Sequence, residues 1–445
     1  MSFLLNRRRL NGGLWVFIGA ALPALTWAQP PEVEDWGAKI QATYVWQKKP
    51  GFNAAYSGPN SLRPEKEISY TFTTTAYLGF RPWQGGELYF NPEVSQGEPF
   101  SNLTGLGGFS NGEVTRVAGP NPKVYRQRLF LRQTWNRGGG EEQVESAINQ
   151  LAGVVDKNRF VLTAGNFSTL DVFDDNTYAH DPRTQFMNWS NMTYAAYDYA
   201  ADARGFGWGF AGEWYEDDWV LRFGRMTAPK EPNMLPLDSR IFQHFGDQLE
   251  IEHAHEFGGQ PGKVRVLAWR NRAVLARYRD AIDYGAAHGE APDIFKVRNG
   301  EQIKYGIGLN IEQAVSGNLG VFFRAMQTDG HTETLAFTEV DQSLAGGISL
   351  KGAAWGRAQD TVGLALMRNA LSKDRREYLE AGGISFFIGD GRLNYRPEDI
   401  VEAYYSLNVV KGAWVTLDAQ RIDNPAYNAD RGPVNFGAIR LHTEF

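Results

Sequence analysis

Long segments of this chain alternate between apolar and polar residues, and that alternation limits the fold to sheet. From Ser69 to Arg81, one side collects Tyr70, Phe72, Ala76, Leu78 and Phe80, and the other collects Ser69, Thr71, Thr73, Thr75, Tyr77 and Arg81. A period of two sustained over this length means a strand with one apolar and one polar face. At about 3.3 Å per residue such a strand crosses a membrane at the tilt of a barrel. Gly205 to Tyr215 repeats the pattern, with Phe206, Trp208, Phe210 and Trp214 against Gly207, Gly209, Ala211, Glu213 and Tyr215. So does the end of the chain, with Ile439, Leu441, Thr443 and Phe445 against Ala438, Arg440, His442 and Glu444.

A soluble sandwich also alternates, and two features favour a transmembrane barrel. Aromatic residues make up 13% of the chain, and Trp46, Trp83, Trp135, Trp219 and Trp414 fall at strand ends, where a barrel meets lipid headgroups. Charges also recur on the polar faces: Glu250, Glu252 and Glu256 share one, and Arg126, Arg128 and Arg132 another. A sandwich would turn such faces to bulk water, a barrel to its lumen. No stretch approaches the roughly 20 apolar residues of a membrane-crossing helix.

Connections alternate in length. Pro82 to Gly86, Glu216 to Asp218 and Gly258 to Gly262 are tight, whereas Ser95 to Lys123 and Phe167 to Arg204 are long. Short periplasmic turns and long external loops are the barrel pattern. Glu141 to Leu151 breaks the alternation, and Val144, Ala147, Ile148 and Leu151 predict a short amphipathic helix on the periplasmic side. Seventeen strands can be counted, an odd number that single-chain bacterial barrels do not use. The conflict falls between residues 350 and 390, which leaves sixteen and eighteen both open.

The N-terminus carries Arg7, Arg8 and Arg9, an apolar run from Leu14 to Leu25, and then Thr26-Trp27-Ala28. This is the layout of a secretory signal peptide, with cleavage expected after Ala28, so that residues 29–445 form the barrel. Its three arginines leave with it, taking the net charge from −6 to −9. The chain has no cysteine, which excludes a disulfide framework and thiolate chemistry.

The chain ends in Phe445 on an alternating strand, the signal that the barrel-assembly machinery reads in outer-membrane proteins. The segments YTFTTTAYLGFRPWQGGELYFNPEVSQGEPFSNLTGLGGFSNGE from Tyr70, YRQRLFLRQTW from Tyr125, RFVLTAGNFSTLDVFDDNTYAHDPRTQFMNWS from Arg159 and GPVNFGAIRLHTEF at the end resemble the carbohydrate-selective porin family of OprB type. The resemblance is strong over residues 36 to 225 and is mainly one of pattern over 226 to 395. It implies sixteen strands and passive uptake of sugars.

A lumen that favours neutral sugars needs polar groups for the hydroxyls and an aromatic face for the ring. Arg126, Arg128 and Arg132, in phase with Phe130, are expected to line the pore opposite Leu129 and Leu131. Glu87, Glu93 and Glu98 supply acceptors, and Arg81 lies on the polar face of its strand. The external loop from Leu170 to Trp189, with Asp181, Arg183 and Trp189, is a second candidate, since porins often fold one loop inward. Its acidic residues match no calcium-loop spacing, and the histidines, of which His253 and His255 would share a strand face, lack a third metal ligand. No cofactor, metal or nucleic-acid partner is expected; outer-membrane lipid and small sugars are. The alternatives are a porin preferring anions, since an arginine row attracts negative charge, an outer-membrane lipid hydrolase, and a plugged structural barrel.

Overall fold

The computed structural model describes residues 33–113 and 118–445; the expected signal peptide, residues 1–28, lies outside them. Sixteen strands close into an antiparallel barrel. In chain order the strands are β1 (Trp36–Lys49), β2 (Glu67–Trp83), β3 (Gly86–Glu98), β4 (Gly119–Asn136), β5 (Glu141–Val144), β6 (Gly153–Asp156), β7 (Arg159–Phe167), β8 (Gly207–Glu216), β9 (Trp219–Thr227), β10 (Phe245–Phe257), β11 (Gln260–Val274), β12 (Glu301–Ala314), β13 (Leu319–Thr328), β14 (Gln342–Gly352), β15 (Arg357–Ala370), β16 (Glu398–Val410), β17 (Ala413–Asp423) and β18 (Val434–Glu444). Strand β1 pairs with both β2 and β18, placing Trp46 opposite Tyr70 and Ile439. Every wall strand thereby has two neighbours, so no edge is left to solvate in the bilayer. The pair β5–β6 forms a separate hairpin.

The wall is apolar outside and polar inside. Leu78, Trp208, Ile439 and Leu441 are exposed on the outer surface, and Phe72 and Phe210 share their phase. On the inner face Thr75, Asn91, Glu250 and Arg265 are completely buried. A soluble protein would reverse this arrangement; a continuous exposed apolar belt is stable only against lipid. Trp83, Trp135 and Trp219 join the outer surface at the short-turn end, as an interfacial girdle requires. Trp414 does not. It alternates with the exposed Leu417 face and lies in the lumen, its ring 5.7 Å from that of His442.

Eight long connections lie at one end of the barrel: 50–66, 99–118, 168–206, 228–244, 275–300, 329–341, 371–397 and 424–433. The other end holds the short turns and the β5–β6 hairpin. That hairpin replaces the helix expected over Glu141 to Leu151. Asn149 adopts a positive φ of 53°, the chain reverses, and Glu141 pairs with Asp156. The apolar residues that mimic a helical stripe are divided: Leu151 packs beneath Tyr89 and Gly79, while Val144 and Ile148 face the lumen.

The strand count settles at sixteen: within the contested stretch between residues 350 and 390, the segment from Gly382 to Phe386 is loop. A helix, Lys373–Glu380, precedes it. Gly382 and Gly389 take φ of 92° and 103°, which an extended strand cannot hold. The Tyr378 hydroxyl donates to the Ile384 carbonyl (2.8 Å) and lies 3.1 Å from the Ile384 N–H, pinning the turn inward.

Candidate functional site

The 39-residue connection between β7 and β8, residues 168–206, descends into the barrel and is held there by carboxylates of the far wall. Glu250 on β10 accepts the Asp174 N–H (2.9 Å), and Glu312 on β12 accepts the Thr177 N–H (2.8 Å). Glu402 on β16 accepts the N–H groups of Met187 (2.5 Å) and Asn188 (3.0 Å) and the Asn191 amide (3.0 Å). Arg324 donates to Asp174 (3.0 Å), and Arg440 donates to the carbonyls of Pro182 (2.7 Å) and Gln185 (2.8 Å). Other loops are held the same way. Glu398 receives the N–H groups of Gly107 (2.9 Å) and Gly108 (2.8 Å). A loop buried inside a barrel leaves backbone donors away from water, and the wall acids satisfy them. Glu250 and Glu252 face inward as the alternation predicts, and Glu250 divides its carboxylate between this attachment and Arg222 of the cavity lining (3.0 Å).

The inward loop leaves a cavity of about 1290 Å³ between itself and the arc β2–β9. At its waist, Arg183 bridges loop and wall. Its Nε donates to Glu113 (2.6 Å), Nη2 to Glu93 (3.0 Å) and Nη1 to the Tyr77 hydroxyl (3.1 Å). Glu93 also accepts from Thr75 (2.5 Å), Tyr125 and Gln127. Asp181 shapes the turn that presents Arg183, accepting the Arg183 N–H (2.9 Å) and the Thr184 hydroxyl (3.0 Å). Next to this cluster Arg128 forms a two-pronged pair with Asp171, both contacts 2.7 Å, in the planar geometry that guanidinium and carboxylate share.

Of the expected arginine row, Arg128 and Arg132 face the cavity and Arg126 does not. Arg128 opposes Asn91 while Arg126 opposes Pro92, so β4 carries one extra residue between them. This bulge shifts the phase. Tyr125 and Gln127 turn into the lumen, and Arg126 is exposed outside, its guanidinium 5.0 Å from the centre of the Trp208 ring. Arg132 lies deeper, over the rings of Tyr89 (5.3 Å) and Phe130 (5.5 Å), and donates to the Asn149 carbonyl (2.9 Å). Arg81 pairs with Glu87 (2.8 Å) at the short-turn end. Glu98 is exposed at the far end of β3, outside the cavity.

On the long-loop side the cavity is bordered by Phe109, Trp189, Phe337 and Phe387, each from a different loop. Trp189 is 6% exposed, packs edge-on against Phe109 (5.7 Å), and among the described residues its indole N–H has no hydrogen-bond partner. Glu113, Tyr125, Gln127, Arg204 and the Arg222–Glu213 pair (3.0 Å) also line the cavity. The sequence did not single them out. Glu113 stands in an aperiodic loop, and Gln127 reaches the lumen only through the bulge.

The described lining holds seven arginines and seven carboxylates. A closed barrel whose lumen is entered by a long loop, with opposite charges facing each other across the cavity beside it, is the architecture of a porin. The model of the carbohydrate-selective porin, OprB family, matches residues 60–445, and the chain belongs to that family. A structure of Pseudomonas putida OprB determined at high pH is similar at a TM-score of 0.67 and 15% identity, covering 92% of this chain and 94% of that one. Pseudomonas aeruginosa OccK11 (TM-score 0.45, 8% identity, 94% and 97% covered) and a loop-deleted OmpT of Vibrio cholerae (0.47, 10%, 93% and 100%) are more distant. No curated protein matches the sequence. The chain is an outer-membrane protein.

Proposed function

We propose that this porin admits neutral monosaccharides such as glucose, by passive diffusion through a weakly binding pore and without catalysis. The observation that carries the reading is the charge balance of the bore. Seven arginines and seven carboxylates line it, most of them paired. Fixed charges of one sign would attract counter-ions. Balanced pairs instead present donors and acceptors side by side, the complement of a sugar's hydroxyls. The aromatic border above the waist offers faces for the ring. The anion-preferring alternative rests on an unbroken arginine row. The bulge removes Arg126 from that row, and Asp171 and Glu87 stand against Arg128 and Arg132.

The test is liposome swelling with the purified protein, comparing glucose, gluconate and glucosamine. Glucose is expected to enter fastest. Gluconate entering fastest would favour the anion reading, and no swelling with any solute would favour a plugged barrel or a hydrolase. The reading includes export with loss of residues 1–28, and intact mass of the membrane-extracted protein is expected to begin at Gln29. It also includes assembly through Phe445, which is exposed at the end of the last strand; its deletion is expected to lower the amount of barrel in the membrane.

A further inference from the structure

The inward loop has two faces, and the one turned away from the bore covers a second cavity of about 530 Å³. Turn residues Ser316 to Asn318, and Gln260 with Pro261, border it. It therefore opens at the short-turn end, which is periplasmic in barrels of this type. Of the residues that line the bore, Arg183 also lines this alcove. The loop residues Thr177, Tyr178 and Gln185 form its roof, and Tyr404, Trp414 and His442 of three successive strands form its wall.

Two observations, an inward tryptophan and an unpartnered histidine nitrogen, indicate that this enclosed space is fitted to a ligand. Trp414 turns inward although it stands at a strand end, where an outward tryptophan would meet the headgroups. The Tyr178 ring closes the roof against the wall at Gly320, where a Cβ would come within 2.0 Å of the ring, so that loop and wall enclose the space. His442 is 1% exposed, and its Nδ1 is 2.8 Å from the Thr43 hydroxyl. Its Nε2 has no hydrogen-bond partner among the described residues. The carboxylate of Glu444 stands 3.7 Å away, beyond hydrogen-bond length. A buried ring nitrogen without a partner is uncommon and asks for one. Ser406, also in the lining, accepts from the Thr416 hydroxyl (3.1 Å). Aromatic faces beside a lone imidazole nitrogen and hydroxyls are the groups that hold a pyranose, by stacking on its C–H face and bonding its hydroxyls.

We propose that this alcove is a second saccharide site, reached from the periplasm and separate from the bore. The proposal rests on the carbohydrate reading above. The ligand class is a neutral monosaccharide or polyol, with Trp414 as the stacking face and His442 Nε2 as a hydroxyl partner.

The test is photolabelling of the full-length protein in detergent with a diazirine-bearing glucose analogue, mapped by mass spectrometry with and without excess glucose. Glucose-competable labels are expected on the peptides carrying Trp414 and His442 as well as on bore peptides. Trp414→Leu is expected to reduce the alcove labels by about fivefold and leave the bore labels intact, while Trp414→Phe, which keeps a ring, retains them. Heat-modifiable gel mobility confirms that each variant is a closed barrel. Competable labels confined to the bore, or alcove labels indifferent to excess glucose, would overturn the alcove and leave the sugar porin standing. No competable label anywhere would overturn both.

Discussion

Two arcs of the inner wall use the same residue types for different ends. Along β2–β4, with the neighbouring β7–β9, charged side chains mostly meet other charged side chains, on the wall or on the inward loop: Arg81 with Glu87, Arg128 with Asp171, Glu93 with Arg183. Along β10–β16, carboxylates also meet loop backbone: Glu250, Glu312, Glu398 and Glu402 each accept at least one N–H from a loop, although Glu250 and Glu312 pair with Arg222 and Arg265 as well. The first arc bounds the larger cavity, and the second holds the loops that border it. An inward-facing acid on a barrel strand is therefore no sign of a pore-lining residue. What decides is whether a loop lies over it.

This division can be broken most severely from the holding side. Glu402→Ala strands two backbone donors and the Asn191 amide, at about 1–3 kcal/mol for each group left unsatisfied. The loop is expected to leave its seat, raising single-channel conductance and abolishing glucose block. Unchanged conductance would mean that Glu402 does not hold the loop. Arg183→Ala, from the solute side, frees Glu93 and Glu113 and removes a donor from the waist. Ion preference is expected to move toward cations, and glucose block to weaken by about tenfold or more, as the loss of a charged hydrogen bond implies. Arg128→Ala is expected to act in the same direction but less, because it frees one carboxylate, Asp171, where Arg183→Ala frees two and breaks the link between loop and wall. Equal or larger effects than those of Arg183→Ala would move the sugar contact to Arg128. Arg126→Ala is expected to change neither block nor reversal potential, since its side chain is outside the barrel over Trp208. A weakened block in that variant would put Arg126 back in the pore.

Much of the wall is legible from residue order because lipid outside and a polar lumen inside impose a period of two on every strand. Leu78, Trp208 and Leu441 follow it directly. The β4 bulge is silent because Tyr125-Arg126-Gln127-Arg128 contains no aliphatic residue to fix the phase, so one inserted residue leaves no mark on the pattern. The ambiguity in strand number between residues 350 and 390 has the opposite cause. Ile384, Phe386 and Ile388 alternate as a strand would, but Phe386, Phe387 and Ile388 pack into the lumen-filling core beneath the loops. A barrel filled by its own loops makes apolar loop residues look like wall. Asp181, Arg183 and Trp189 were found as a motif within one loop, whereas their partners Glu113, Glu93 and Phe109 come from elsewhere in the chain. Such pairings are set by how loops meet inside the barrel and have no local signature.

Balanced charges where the inward loop meets the wall are expected to give a pore that binds neutral sugar weakly and discriminates little between ions. Glucose titration of single-channel current, with the reversal potential in a salt gradient read on the same channels, tests it most directly. Saturable block by glucose is expected, in channels whose reversal potential lies near zero. Strong anion preference without any sugar block would contradict it.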